Sequence, residues 1–425
     1  MNNKTFSFFT FGCKVNQYET QLMREQLQRN GFKELQKNSS YFIINGCVVT
    51  AKAQKKCHSL IKSLHQKNPQ SQIIITGCYA YNLGQERFGQ PMHSDWLRVI
   101  PPDKKIRIAE ILLKNKSINL EKEFDQRITD FSQHVRAFVK IQDGCDNFCA
   151  YCIVPYIRGK SQSKKEEIIL QEIDDLTHKG FKEIVLTGIN LGMWGKDFKP
   201  AKELADLIEK INVMDVFFRL RLSSIELQCI SNRLIDQFTK AKTKLCAHLH
   251  IPLQSGDTEV LKNMNRKYTG DKFIKKIQEI KKQIKGVGLT TDVLVGFPGE
   301  TQTAFDHTQA LIKKAEFLRV HIFPFSLRPG TKAAISPNQI ESPVKNLRKK
   351  MIKKMAQKVS FNFRKKIQEQ TVEVLFEKKE KGDWVGYCRE YIKIRVKSGK
   401  NLKNVLENVK ITQVTSTQTK GELVD

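Results

Sequence analysis

The sequence predicts an α/β protein in three parts: a small α/β N-terminal domain, a partial (β/α)6 barrel and a small all-β C-terminal barrel. Three observations predict it. Short runs of β-branched and aromatic residues alternate with helical stretches, and this alternation restarts with longer units near residue 136. Beyond residue 337 a Lys/Arg-rich helical stretch gives way to short β patterns divided by turns such as Lys381-Gly382 and Ser398-Gly399. The 425 residues, 40% of them hydrophobic, suffice for two or three cored domains and exclude wholesale disorder. The expected bounds are 1–114 for the first domain, a linker over 115–133, the barrel over 134–362 and the last domain over 363–425.

In the first domain, Thr5–Phe11, Tyr41–Asn45 and Gln72–Thr76 read as strands, with helices near Glu19–Arg29 and Ala51–Gln66. Such alternation makes a parallel sheet the expectation. The stretch from Lys114 to about His134 lacks periodicity. The barrel strands are expected at Phe138–Gln142, Glu183–Thr187, Phe217–Leu222, His248–Leu253, Leu289–Val295 and Arg319–Phe325. Helices follow near Lys164–His178, Lys202–Ile211, Ile230–Lys240, Asp271–Ile284 and Thr301–Ala315, two units short of an eight-fold barrel. On these strands the polar residues share a face: Lys140 with Gln142, Arg219 with Arg221 and Ser223, His248 with His250 and Gln254, Arg319 with His321. The apolar face must pack on helices, so the polar face looks inward, which suggests an open barrel around a large polar ligand. A helix from Ser342 to about Gln368 precedes β patterns at Thr371–Phe376, Asp383–Cys388, Tyr391–Val396 and Asn408–Val414. A five-strand-like barrel fits them.

Lys and Arg total 73 against 44 acids, a formal net charge of +29. That excess points to a polyanion, nucleic acid or acidic membrane surface, although solvated lysines would also raise it. No run approaches the roughly 18 apolar residues of a membrane helix. The opening MNNKTFSFFTFGCKVN lacks the features of a signal peptide, so a cytoplasmic protein without membrane contact is expected. There stable disulfides are rare, and the ten cysteines must serve metal, catalysis or packing.

Cys145, Cys149 and Cys152 stand in DGCDNFCAYC, a C-x3-C-x2-C array directly after the first barrel strand. Three thiolates so placed can hold three irons of a [4Fe–4S] cube and leave the fourth open. Zinc would want four closed ligands, and no histidine lies near. A second regularity lies upstream. Three strands each end in Gly-Cys, at Cys13, Cys47 and Cys78, so three cysteines converge where open α/β sheets place ligands. A second cluster with one open iron is the better reading; zinc with Cys57 or His58 as fourth ligand, or three buried thiols, are the alternatives. Cys57, Cys229, Cys246 and Cys388 otherwise read as ordinary buried thiols.

The array around Tyr151 resembles the signature of the radical S-adenosylmethionine (SAM) enzymes. With FGCKVNQYET, NGCVVTAKA, TGCYA, VLTGINLGMWG, RLRLSSIE, HLHIPLQSGDTEVLKNMNRKY, TDVLVGFPGET and FPFSLRPGT, the whole chain resembles the methylthiotransferase family, and the C-terminal barrel resembles the RNA-binding TRAM domain. GCKVNQYE is most similar to the branch that methylthiolates C2 of N6-threonylcarbamoyladenosine in tRNA, on the 3′ side of the anticodon. Sister branches act on isopentenyladenosine in tRNA and on an aspartate of a ribosomal protein; a non-catalytic zinc-binding RNA protein is the other alternative. Gly46 departs from the family pattern, which carries Thr there.

The resemblance implies two [4Fe–4S] clusters, SAM, the anticodon loop of a tRNA, an electron donor and a sulfur source. Cys145, Cys149 and Cys152 would bind the SAM-cleaving cluster, and Cys13, Cys47 and Cys78 the cluster that carries the sulfur. The SAM-derived radical would take hydrogen from C2 of the adenine, and a second SAM would supply the methyl group. Expected SAM contacts are Tyr151, through its backbone, with Gly188 and Asn190 after the second barrel strand, Ser223 and Glu226 after the third, and His250 and Gln254 on the fourth. Gly296 and Gly299 shape a turn. Arg158 and Arg266 are expected at RNA or SAM. Trp384, Tyr387 and Tyr391, interleaved with Arg389, Lys393 and Arg395, suit either base stacking with phosphate contact or a barrel core.

Overall fold

The computed structural model describes residues 4–49, 51–84, 95–113, 126–131 and 134–424. The first sheet comprises β1 (Thr5–Thr10), β2 (Lys33–Glu34), β3 (Tyr41–Gly46), β4 (Gln72–Gly77) and β5 (Leu97–Val99), in the order β2-β1-β3-β4-β5 and parallel throughout. Its connections are α1 (Lys14–Arg29), α2 (Ala51–Lys67), α3 (Cys78–Gly84) and, beyond β5, α4 (Ile108–Leu113). Both faces are covered, as a parallel sheet requires. Phe42 and Ile44 pack with Ile61 and Leu64 of α2, whereas Ile43 packs with Met23 and Leu27 of α1. The edge strands β2 and β5 are too short for the periodicity of the sequence to have revealed them.

Of the expected linker, residues 115–125 and 132–133 lie outside the described residues. The part between them is docked. The backbone N–H groups of Thr129 and Asp130 donate to the Glu25 carboxylate at 3.0–3.1 Å, that of Ile128 donates to Glu172 at 2.9 Å, and Ile128 and Phe131 are buried.

The second body holds six parallel strands: β6 (Ala137–Lys140), β9 (Glu183–Thr187) and β10 (Arg219–Leu222) in one half, β11 (His248–His250), β12 (Gly288–Val295) and β13 (Arg319–Pro324) in the other. Single bridges, Leu220 to Leu245 and Ser224 to His250, join the halves. A small hairpin of β7 (Gln142–Asp143) and β8 (Gln162–Ser163) interrupts what the sequence presents as one strand, with α5 (Val154–Arg158) between them. Outer helices are α6 (Glu166–His178), α7 (Leu204–Asn212), α8 (Asn232–Thr239), α9 (Thr258–Asn263), α10 (Gly270–Gln283) and α11 (Gln302–Ala315). One apolar core runs through Ile169, Ile173, Leu207, Ile235, Ile277, Phe305 and the outward faces of the strands.

The helix α12 (Ser342–Lys365) lies along β13 and α11 and leads into a closed barrel of β14 (Thr371–Glu380), β15 (Asp383–Cys388), β16 (Lys393–Val396), β17 (Leu406–Val414) and β18 (Thr419–Leu423). Val374, Phe376, Trp384, Ile394, Val409 and Ile411 fill it.

The inward polar face of the six strands is confirmed, but half of it is not a ligand wall. Arg219 and Arg221 are buried against Glu183 at 2.5 and 2.7 Å, and Arg219 Nη2, Arg221 Nη2 and Arg221 Nη1 also donate to the carbonyls of Tyr387, Cys388 and Arg389 in the last barrel. Tyr391 lies within 4.7 Å of the Arg221 guanidinium and stacks on Tyr387 at 4.8 Å. Lys393 and Arg395 pair with Glu380. These aromatics and cations therefore serve the core and the junction between the two barrels. The alternation of polar residues is the same in either case; the register that sets Arg219 beside Glu183 on the neighbouring strand is what consumes the charge.

Candidate active site: two three-cysteine centres at a domain junction

Cys145, Cys149 and Cys152 occupy the loop after β7, at the C-terminal end of the first barrel strand, where β/α barrels place chemistry. Backbone bonds hold the loop from several directions: Cys145 N to Gly159 O (3.1 Å), Ala150 N to Met264 O (3.0 Å) and Ala333 N to Ala150 O (2.8 Å). The Asn265 amide also donates to the carbonyls of Asn147 and Phe148. All three thiols are half-buried. Loss of hydration pushes the Cys152 thiol up to about 12, and the neighbouring Cys149 and Cys145 add to that. These are thiols crowded enough to repel one another as anions, a set that needs a cation among them.

Cys13, Cys47 and Cys78 stand at the carboxyl ends of β1, β3 and β4. Cys13 caps α1 and Cys78 opens α3, so two of the three lie at helix N-termini, where the backbone favours a thiolate. The strand ends interlock closely. Gly12 and Gly77 have φ of +108° and +75°; a Cβ on Gly12 would sit 2.8 Å from Cys47 Cβ, and one on Gly77 would sit 2.2 Å from Asn45 Oδ1. Burial pushes the Cys47 thiol up to about 12, with the nearby Cys78 thiol as the next cause. Gly46 also has a steric reason: a Cβ there would meet Tyr79 Cβ at 2.5 Å.

The two centres meet. Val48 and Cys78 pack on Ile153, the residue after Cys152, and on Ile157. Beside that contact runs a polar chain. Cys13 Sγ lies 3.9 Å from Asn16 Oδ1, which accepts from Arg158 Nη2 at 2.7 Å. Arg158 Nη1 donates to Asp143 at 2.9 Å, and Asp143 accepts from the N–H of Gly144, next to Cys145. Glu19 binds Lys105, Lys140 and Arg158 at 2.7, 3.2 and 2.9 Å. Burial alone would raise its pKa, yet those three charges hold the Glu19 carboxyl well below its usual range. Arg158, expected at RNA or SAM, is thus a strut of the domain junction.

The remaining expected residues divide into two groups. Asn190 Oδ1 and Ser223 Oγ are buried with no hydrogen-bond partner among the described residues, which suits a polar ligand at the ends of the second and third barrel strands. The Gln142 amide oxygen fixes that corner by accepting from Asn190 N at 2.8 Å, and it leaves Gly188 no room for a Cβ, which would lie 2.9 Å away. Tyr151 packs edge-on to Phe297, and Gln254 takes a left-handed backbone (φ +65°) after β11. Glu226 and His250 are engaged elsewhere. Glu226 grips Arg266, whose Nη1 lies 3.5 Å from Cys149 Sγ; His250 binds Asp292 at 3.2 Å and Thr290 at 2.9 Å. The sequence reading did not single out Asn16, Glu19 or Arg328, whose Nε donates to Val49 O. Arg328 does stand in FPFSLRPGT, directly after the last barrel strand, and that position was its signal.

Residues 139–312 match the radical SAM superfamily, and residues 5–97 match an uncharacterized protein family, UPF0004. The threonylcarbamoyladenosine tRNA methylthiotransferase MtaB of Thermotoga maritima is 38% identical over 92% of this chain and 91% of its own. The chain belongs to the radical SAM methylthiotransferases. Other members of this family match it over nearly full length: MtaB of Bacillus subtilis at 33% identity (99% of this chain, 96% of that one) and the tRNA-2-methylthio-N(6)-dimethylallyladenosine synthase of Clostridium botulinum at 33% (98% and 96%). The fold is similar to that of the radical SAM methyltransferase TsrM of Kitasatospora setae, with a TM-score of 0.57 at 12% identity over 78% of this chain and 77% of that one. As a methylthiotransferase, the chain is an enzyme that uses SAM and [4Fe–4S] clusters, and its residues fit them. Among the described residues no three Cys, His, Asp or Glu side chains converge on one point where a single ion would sit. A cube does not ask for that, because each thiolate takes its own iron at a separate corner. Among the described residues no helix is long and apolar enough to cross a membrane.

Proposed function

We propose that the chain methylthiolates C2 of N6-threonylcarbamoyladenosine beside the anticodon of a tRNA, with Cys145, Cys149 and Cys152 holding the SAM-binding cluster and Cys13, Cys47 and Cys78 the second. The observation that carries this reading is the contact between the two centres through Cys78, Ile153 and the chain Cys13–Asn16–Arg158–Asp143. One centre alone would serve SAM cleavage; sulfur insertion needs a second within reach of the same substrate atom. SAM on such a cluster supplies one-electron chemistry for a C–H bond that no side-chain base could deprotonate.

Around it the chain supplies position and exclusion. Asn190 Oδ1 and Ser223 Oγ accept and orient polar groups of SAM, the backbone at Tyr151 borders its adenine, and the Glu19–Arg158 junction keeps water from the space between the centres. The bounds 1–114, 134–362 and 363–425 describe the cluster domain, the SAM barrel and a TRAM-like RNA-gripping barrel. The net charge of +29 favours the tRNA backbone, and lysines along α12 are placed for phosphate rather than for bases. An electron donor and a sulfur source complete the reaction, which takes place in the cytoplasm.

Nucleoside analysis of tRNA from a deletion strain tests the substrate. Loss of 2-methylthio-N6-threonylcarbamoyladenosine is expected; its persistence, with loss of the isopentenyl counterpart instead, would move the chain to the sister branch. Anaerobic reconstitution tests the centres: about eight irons are expected in two cubes. Cys149→Ala should abolish SAM cleavage, whereas Cys78→Ala should leave cleavage intact and stop methylthiolation. Cleavage lost in both would refute the division of labour.

A further inference from the structure

Two guanidinium groups reach the N-terminal cysteines from the barrel, and they differ in one respect. Both terminal nitrogens of Arg158 are engaged, by Glu19, Asp143 and Asn16. Arg328 is not. It follows β13, and the carbonyl of its own residue accepts from Thr331 N (3.1 Å) and Thr331 Oγ1 (2.8 Å), which fixes the turn. The side chain crosses to the other domain, where Nε donates to Val49 O at 3.2 Å, two residues beyond Cys47. The residue is 8% exposed, and its Nη2 is buried without a hydrogen-bond partner among the described residues. No carboxylate pairs with it among those residues. Burial lowers its pKa, and Cys47 acts against that shift.

A buried guanidinium with an idle N–H and no carboxylate is expensive unless an anion completes it. Besides the carboxylate and phosphates of the proposed tRNA substrate, the anions that chemistry brings beside Cys47 are sulfur anions: thiolates, sulfides, or a sulfur ligand on an open iron. We propose that Arg328 binds an anionic sulfur group at the N-terminal three-cysteine centre, with Nε anchored on Val49 and Nη2 donating to the sulfur. The inference rests on the reading that Cys13, Cys47 and Cys78 hold a cluster, and it adds a residue from the barrel to a centre otherwise built by the first domain. It also makes that centre incomplete without the barrel, because the donor arrives from the loop after the last barrel strand. The sulfur anion has two sources, the sulfur co-substrate or the cube's own sulfide.

The test uses full-length protein with Cys145, Cys149 and Cys152 changed to Ala, so that only the N-terminal cluster gives an electron paramagnetic resonance signal. Sodium methanethiolate is titrated into this protein and into the same protein carrying R328Q or R328K, with iron content and the cluster's midpoint potential measured alongside. With iron unchanged, R328Q should weaken methanethiolate binding by about tenfold or more, the effect of losing a charged hydrogen bond. R328K, which keeps the charge but not the planar two-point donor, should fall between. Unchanged affinity with a shifted midpoint potential would assign the contact to the cube's own sulfide. Unchanged affinity and unchanged potential would overturn the proposal. If R328Q fails to hold iron, R328K decides: affinity and potential equal to those with Arg overturn it. A starting protein without any iron would refute the cluster reading itself, and the proposal with it.

Discussion

Gly46 illustrates how much one missing methyl group determines at a centre built from strand ends. It stands where the resemblance leads one to expect Thr, and it precedes the proposed cluster ligand Cys47 without being one. Tyr79 explains it: the tyrosine's Cβ lies where a side chain at 46 would begin, and its ring packs with Cys57 and Ile61 in the core. Since Cβ cannot rotate away, any residue larger than Gly must push the turn that carries both Cys78 and Tyr79. Overpacking of this kind costs about 1–3 kcal/mol. Gly46→Thr should therefore lower stability by that amount and reduce the iron content from about eight toward about four. SAM cleavage by the barrel should be unchanged. Full iron occupancy in the variant would show that the turn yields more cheaply than its packing suggests.

At the scale of elements, the strands that carry chemistry were legible because three Gly-Cys endings and one C-x3-C-x2-C loop each follow a β-branched run. Strand β2, at two residues, and β5, at three, carry no period to read. Arg219 and Arg221 were legible as inward-facing but not as spent, because the partner that neutralises them is set by sheet register. Arg158 is expected at RNA or SAM, not at a junction, for a similar reason: Glu19 lies 139 residues away, and no local pattern announces the pair. The segment 126–131 carries the same lesson. It looks featureless, yet the Glu25 carboxylate on α1 accepts from Thr129 N, Asp130 N and Thr129 Oγ1. Hydrogen bonds to a charged group contribute about 1.5–3 kcal/mol. Glu25→Ala should release this segment, raising trypsin cleavage after Arg127 by about tenfold or more while leaving global unfolding nearly unchanged. Equal cleavage rates would mean that the Glu172 and Asp175 contacts and the burial of Ile128 and Phe131 hold it without Glu25.

At the scale of the whole molecule, three bodies are joined by two buried ionic seams, one around Glu19 and one around Glu183. In the second, Glu183 pairs with both Arg219 and Arg221, Arg219 also reaches Glu373 of the last barrel at 3.3 Å, and Arg136 approaches Glu183 at 3.7 Å and reaches on to Glu377 of that barrel at 2.6 Å. Burial by itself would raise the Glu183 pKa, but the charges of Arg221 and Arg219 win and bring it down to about 2, against an ordinary 4.5. A carboxylate whose pKa is lower folded than unfolded adds stability that is complete above the unfolded value. That stability is lost as pH falls from about 4.5 toward 2. Glu183→Gln keeps the shape and removes the charge, leaving buried Arg221 without its carboxylate and Arg219 with only Glu373, a loss of about 3–5 kcal/mol. The variant should therefore be much less stable than the parent at pH 7, and the gap should narrow as pH falls through that window, because acid does to the parent what the mutation has already done. Trp384, in the core of the last barrel, offers the readout: urea unfolding followed by its fluorescence at pH 7, 4.5 and 3. A gap that stays constant across these values would mean that Glu183 acts by shape and hydrogen bonding alone. A gap that closes would establish that Glu183 stabilises this seam through its charge.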